Sequence, residues 1–298
     1  MPAPPGSAPA NAAGPISVGE IGVSDDWRNR VGRSWADNWQ ATDRSFGALT
    51  DRLLAIASQT EFAQALDIGC GAGELCQRLG RANASSRVIG VDVSQDLVAV
   101  ARDRTAALPN VRIEHGDAAD WQPGAGERPD LLVSRHGVMF FADPVAAFTH
   151  LRKLAAPKAR LTFSCFRERS KNEWAQALAS AVPATGEAPT DPRAPGPFAF
   201  GEGDYISEIL AQSGWRNVTL ERFDYAMIAG QVGAEDDDPL DSALAYFLRI
   251  GPAASRIAAL EGTTRTAAIA RLRTILCDYR DGDRIALPAS AWIVTAEA

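Results

Sequence analysis

Residues 65 to 73 read A-L-D-I-G-C-G-A-G, and residues 88 to 92 read V-I-G-V-D. An apolar run therefore ends in an acid, Asp67, and three glycines follow at alternate positions, Gly69, Gly71 and Gly73. A second apolar run ends in Asp92, and H-G-D-A at 115–118 places a third acid, Asp117, after the next run. Glycines let backbone approach a ligand closely, and acids at successive strand ends can accept hydrogen bonds from hydroxyls and amines. Two ligand classes use such a loop. A dinucleotide wants G-x-G-x-x-G, but Glu74 stands where that third glycine should fall. Asp67 would also place negative charge beside a pyrophosphate. S-adenosylmethionine carries an ammonium and a sulfonium and no phosphate, so a nearby carboxylate helps it. Asp92 suits the ribose of either cofactor.

The elements that must hold these residues alternate in type. Strands are expected at 65–68, 87–91, 111–114, 130–134 and 160–165, with helices between them. Ser94 can cap one helix, and Asp143-Pro144 opens another. Such alternation makes a doubly wound α/β sheet with helices on both faces. Further on, a helix is expected at 204–212, a strand at 217–227, helical patterns from about 239 to 279 and a closing strand at 291–296. Trp35, Trp39, Phe46, Leu49 and Leu53 fall at helical spacing upstream of the core. The expected order is a tail at 1–20, a helical arm at 21–60 and a cofactor-binding core at 61–166. A lid-loop insertion at 167–203 and a core helix and strand at 204–230 come next. A helical insertion at 231–282 and a final strand at 283–298 complete it.

Bulk properties narrow the function. Of 298 residues, 46% are hydrophobic and 22% charged, with 37 acidic against 30 basic residues and a net charge of -7. That balance repels phosphate backbones and argues against nucleic acid as a partner. No apolar run approaches the ~20 residues of a membrane span, and the N-terminal stretch has neither the basic nor the apolar region of a signal peptide. Cys70, Cys76, Cys165 and Cys277 show no metal or disulfide spacing, so a cytoplasmic protein is the expectation.

The quoted motifs resemble those of the class I S-adenosylmethionine-dependent methyltransferases, in particular the broad group similar to quinone-biosynthesis enzymes. D-I-G-C-G-A-G looks like the first motif, V-I-G-V-D the second and H-G-D-A the third. L-V-S-R-H-G-V-M-F-F at 132–141 looks like the fourth-strand motif, and S-A-W-I-V-T-A-E-A like the last, antiparallel strand of a seven-stranded Rossmann-like sheet. The resemblance implies S-adenosylmethionine as cofactor and methyl transfer as activity. Asp67, Gly69, Gly71 and Gly73 would surround its methionyl part, Asp92 its ribose, and Asp117 and Ala118 its adenine, with Val93 on the adenine face and Ser134 among the cofactor contacts.

Methyl transfer needs alignment and exclusion of water, and a base only if the nucleophile arrives protonated. His136, just past the fourth strand, is the candidate base, expected to titrate near neutrality. The plainer reading is a histidine that shapes the loop. Arg135 is a candidate for a substrate anion, or only for an acidic neighbour. Trp35, Trp39 and Phe198 are candidate pocket residues for a flat small-molecule acceptor, oxygen first and carbon next, against the alternative of ordinary packing. His115 reads as structural and His150 as solvent-facing. The competing functions are an NAD(P)-dependent oxidoreductase and a non-catalytic cofactor-binding partner subunit.

Overall fold

A computed structural model describes residues 27–183, 191–232 and 238–298. The expected tail with the first residues of the arm, residues 184–190 of the expected lid loop and residues 233–237 of the expected helical insertion lie outside them. Helices α1 (Arg30–Asp37) and α2 (Trp39–Ala57) precede the first α/β unit, β1 (Gln64–Ile68), α3 (Glu74–Ala82) and β2 (Arg87–Asp92). Then come α4 (Gln95–Thr105), β3 (Val111–His115), β4 (Leu131–Arg135), α5 (Pro144–Leu154) and β5 (Arg160–Phe166). The expected caps form: Ser94 Oγ accepts from Leu97 N–H, and the Asp143 carboxylate accepts from Ala146 N–H.

Helices α6 (Glu173–Ala181) and α7 (Gly203–Gln212) lead to β6 (Arg216–Gln231). Helices α8 (Pro239–Phe247), α9 (Pro252–Ala258) and α10 (Gly262–Cys277) lead to a hairpin of β7 (Arg280–Asp281) and β8 (Arg284–Glu297). The sheet runs β3-β2-β1-β4-β5-β8-β6, with β7 an eighth strand paired to β8. Strands β1 to β5 are parallel; β8 is antiparallel to both β5 and β6. The central strands are buried on both faces, which is why they read as unbroken apolar runs.

Strand order reverses at β1, whose neighbours are β2 and β4. Ligands of open α/β sheets bind in the crevice beyond the carboxyl ends at that point. Two expectations change in detail. The arm is broken at Asn38 into two helices, so Trp35 and Trp39 sit on different helices. The last two long strands extend past the expected bounds, because Gly230 in one and Pro288 in the other interrupt the pattern that marks a strand.

Candidate active site

The first crossover builds the floor of the site. Gly69, Gly71 and Gly73 all have positive φ (65°, 54° and 81°), a conformation that disfavours side chains. Gly73 is also pressed on α4, where an added Cβ would stand 2.9 Å from the Ala101 Cβ. Asp92, at the end of β2, ties this loop down: Gly71 N–H and Ser94 N–H each donate to its carboxylate at 2.8 Å. A carboxylate has about four acceptor positions, so capacity for two more donors is left.

The second turn comes from β4. His136 adopts φ 63° and Gly137 follows, so closely crossed over β1 that a Cβ there would lie 2.5 Å from the Ile68 carbonyl. Ser134 Oγ fastens that crossing, donating to Ile68 O at 2.6 Å and accepting from Gly137 N–H at 3.2 Å. The left-handed turn at His136 is what delivers its ring to the cavity.

Between these turns lies a cavity of about 180 Å³. Asp67, Gly69, Gly71, Asp92, Val93, Arg135, His136, Trp35 and Trp39, all expected from the sequence, line it together. The electrostatics are unusual at two of them. Asp67 is 1% exposed; its Oδ2 accepts from the Cys76 thiol at 3.2 Å, and its Oδ1 has no partner. Burial pushes its carboxyl up to about 7. His136 is 7% exposed, stacks on Phe166 at 4.1 Å and meets Phe46 edge-on at 5.1 Å, and neither ring nitrogen has a partner. Burial, with Arg135 beside it, lowers the imidazole to about 3. The sequence expectation of a histidine titrating near neutrality is corrected here. The group near 7 is Asp67.

Of the two readings of Arg135, the geometry shows the acidic neighbour. Its guanidinium is engaged by Glu74, by the Thr50 hydroxyl (2.8 Å) and by Asp43 (3.4 Å), so its charge faces acids of this chain and not a free anion. Asp43 is shared with Arg104 at 2.6 Å, whose guanidinium covers the Trp39 ring at 3.9 Å.

Five expected residues are not brought to the cavity, and one of them is Gly73, which faces Ala101 of α4. Ser134 is fully buried and spent on the crossing just described. Ala118 is buried outside it, and Asp117 accepts from Ala119 N–H while Arg28 of the arm stands 3.9 Å from its other oxygen. Phe198 packs behind the wall, against Phe166 (5.9 Å) and Trp174 (5.8 Å), and its neighbour Pro197 takes the lining position. His115 bonds the Val93 carbonyl, as a structural histidine would. His150 is half-buried and bonds the Trp121 carbonyl at 2.8 Å, so it is not solvent-facing.

Sequence reasoning missed Trp27, Asp43, Glu74, Phe166, Trp174 and Tyr246 among the lining residues. Glu74 and Phe166 carried a signal, since one opens the helix after the glycines and the other ends a strand on the ligand edge. Among the described residues there is no metal-ligating cluster, the four cysteines are free, and no helix is long and apolar enough to cross a membrane.

Residues 65–158 match the family model of a methyltransferase domain. This stretch, about a third of the chain, is a methyltransferase domain. The chain is 29% identical over 160 residues to a trans-aconitate 2-methyltransferase of Variovorax paradoxus, covering 53% of this chain and 58% of that one. Thus it spans less than two thirds of the relative's length. Among solved structures it is similar to the phosphoethanolamine N-methyltransferase 2 of Haemonchus contortus in complex with S-adenosyl-L-methionine. That TM-score is 0.53 at 16% identity, over 93% of this chain and 60% of the other. It is also similar to the [4+2]-cyclase SpnF, with TM-score 0.52 at 16% identity, over 90% and 95%. These likenesses show that the methyltransferase fold extends well beyond the matched domain.

The residues of the domain fit S-adenosylmethionine better than a dinucleotide. A buried carboxylate oxygen without a partner, Asp67 Oδ1, calls for a cation and repels a pyrophosphate. Asp92 keeps acceptor capacity for a pair of hydroxyls.

Proposed function

We propose that the protein is an S-adenosylmethionine-dependent methyltransferase acting on a small molecule, with oxygen the first choice of acceptor atom and carbon the next. The observation that carries the reading is Asp67, a carboxylate buried in the cavity wall with one oxygen unpartnered beside the glycine loop. The cofactor, when bound, supplies a methyl carbon already activated by a sulfonium. Everything else falls to the chain. Asp67 meets the cationic end, Asp92 the ribose hydroxyls, and Val93 packs on the adenine. Trp27, Trp35 and Trp39 close the cavity from the arm, and exclusion of water with fixed alignment is what such a reaction asks of a protein.

His136 is the group that meets the acceptor. Because burial keeps its imidazole neutral, a ring nitrogen can accept a hydrogen bond from an acceptor hydroxyl at any physiological pH. With a pKa of about 3 it is a weaker base than an ordinary histidine, so orienting the nucleophile comes before taking its proton.

The test is turnover. Purified protein incubated with S-adenosylmethionine and a panel of hydroxylated small molecules, with the tricarboxylate trans-aconitate tested beside them, is expected to form S-adenosylhomocysteine and one methylated product in equal amounts. If the protein binds S-adenosylhomocysteine but no acceptor in the panel is turned over, the partner-subunit reading gains. If it binds NAD instead, methyl transfer is wrong.

A further inference from the structure

We infer that the acceptor is an uncharged aromatic molecule bearing a hydroxyl, not a polycarboxylate. This rests on the methyl-transfer reading and adds the chemical class of the second substrate. Away from the glycine loop, the cavity is walled by Phe46, Phe166, Trp174, Met227, Tyr246 and Phe247. The rings touch one another in series: Phe46 on His136, His136 stacked on Phe166, and Phe166 on Trp174 at 5.0 Å. Such faces suit a flat ring, through offset or edge contacts.

Charge is the deciding feature. Among the described residues lining the cavity, Arg135 is the one cation of the Lys/Arg kind, and Glu74 and Asp43 hold it. Asp43 is itself shared with Arg104. An acceptor with three carboxylates would find no free counter-ion, and a carboxylate moved from water into such a wall is strongly penalised. The same dehydration acts on cations, since it holds His136 uncharged. Tyr246 offers little polar capacity, because its hydroxyl already pairs with Ser45 at 3.0 Å. What stays without a partner is His136, whose Nδ1 and Nε2 are both buried at the cavity wall with no hydrogen bond. A neutral hydroxyl can donate to whichever of the two nitrogens is unprotonated, and it brings no charge.

The experiment uses calorimetry on the full chain saturated with S-adenosylhomocysteine, at pH 7. The probes are two matched pairs, p-cresol with p-toluate and 2-naphthol with 2-naphthoate, together with trans-aconitate. At least one phenol should bind, and at least about tenfold more tightly than its carboxylate, the modest end of the cost of burying an unpaired charge. Trans-aconitate should give no saturable heat. His136→Phe should weaken the phenol by about tenfold, the scale of one lost hydrogen bond, while S-adenosylhomocysteine still binds as in wild type. Binding of a carboxylate or trans-aconitate more tightly than the phenols overturns the inference, as does loaded protein that takes up neither phenol. Failure of S-adenosylhomocysteine itself to bind is a separate outcome, and it removes the methyl-transfer reading together with this one.

Discussion

Binding of the cofactor should release a proton from Asp67, and the amount follows from its surroundings. The carboxyl is buried, one oxygen is unpartnered, and its pKa is raised to about 7. A folded-state pKa above the ordinary carboxylate value means that the free protein holds this proton at pH 6 and has lost it at pH 8. A ligand whose ammonium meets Asp67 binds the deprotonated form, so its affinity must rise with pH through 7 and level off above it. With only the deprotonated fraction competent, the apparent Kd for S-adenosylhomocysteine should fall about tenfold between pH 6 and 8. At pH 6.5 about three-quarters of a proton should leave per ligand bound. Calorimetry in buffers of differing ionisation enthalpy measures that number directly. Asp67→Asn should abolish both the proton release and the pH dependence, and weaken binding by about 1.5–3 kcal/mol, the scale of a hydrogen bond to a charged group. Affinity that falls as pH rises, or proton release that persists in Asp67→Asn, would refute the assignment of the cationic end to Asp67.

Three further outcomes are expected. Asp92→Ala should weaken S-adenosylhomocysteine by about 1.5–3 kcal/mol. It should also lower the apo melting temperature by about 2–4 °C per kcal/mol lost, because Asp92 holds the Gly71 and Ser94 amides in the free protein; an unmoved melting point would show that the loop does not depend on it. His136→Phe should cost about 1–3 kcal/mol in kcat/KM for a phenolic acceptor without touching cofactor affinity. The wild-type pH–rate profile should show no imidazole inflection between 6 and 8, and one that appears there and vanishes in His136→Phe would contradict a histidine held at about 3. Hydrogen exchange in residues 27–57 and 191–200 should slow when S-adenosylhomocysteine is added, since the arm and Pro197 line the cavity; equal exchange with and without ligand would make these segments static packing.

What could be read from the sequence was local. The glycine loop, Asp67 and Asp92 are joined by one βαβ crossover, so their spacing alone states their geometry. His136 and Arg135 were placed correctly at the end of a strand, but their environments were not legible. The acids that hold Arg135 lie 61 and 92 positions away in the chain, and the rings that bury His136 come from α2 and β5. Asp117 follows its strand as expected, yet Arg28 of the arm reaches it from a segment whose path no motif describes. In P-G-P-F-A-F, composition marked Phe198 as the residue to reach inward, whereas the fold of the loop gives that place to Pro197 and sets Phe198 behind it. The Gly282-Asp283 pair was a readable hairpin signal that periodicity passed over, with Gly282 at φ 61° turning β7 into β8 between the paired Asp281 and Arg284.

The most direct test of the account is a pair of calorimetric titrations of the full chain at pH 8, one with S-adenosylhomocysteine and one with NAD. The account predicts saturable one-to-one binding of S-adenosylhomocysteine, markedly weakened in Asp92→Ala, and no saturable heat with NAD. Binding of NAD, or S-adenosylhomocysteine binding that is indifferent to the loss of Asp92, would contradict it.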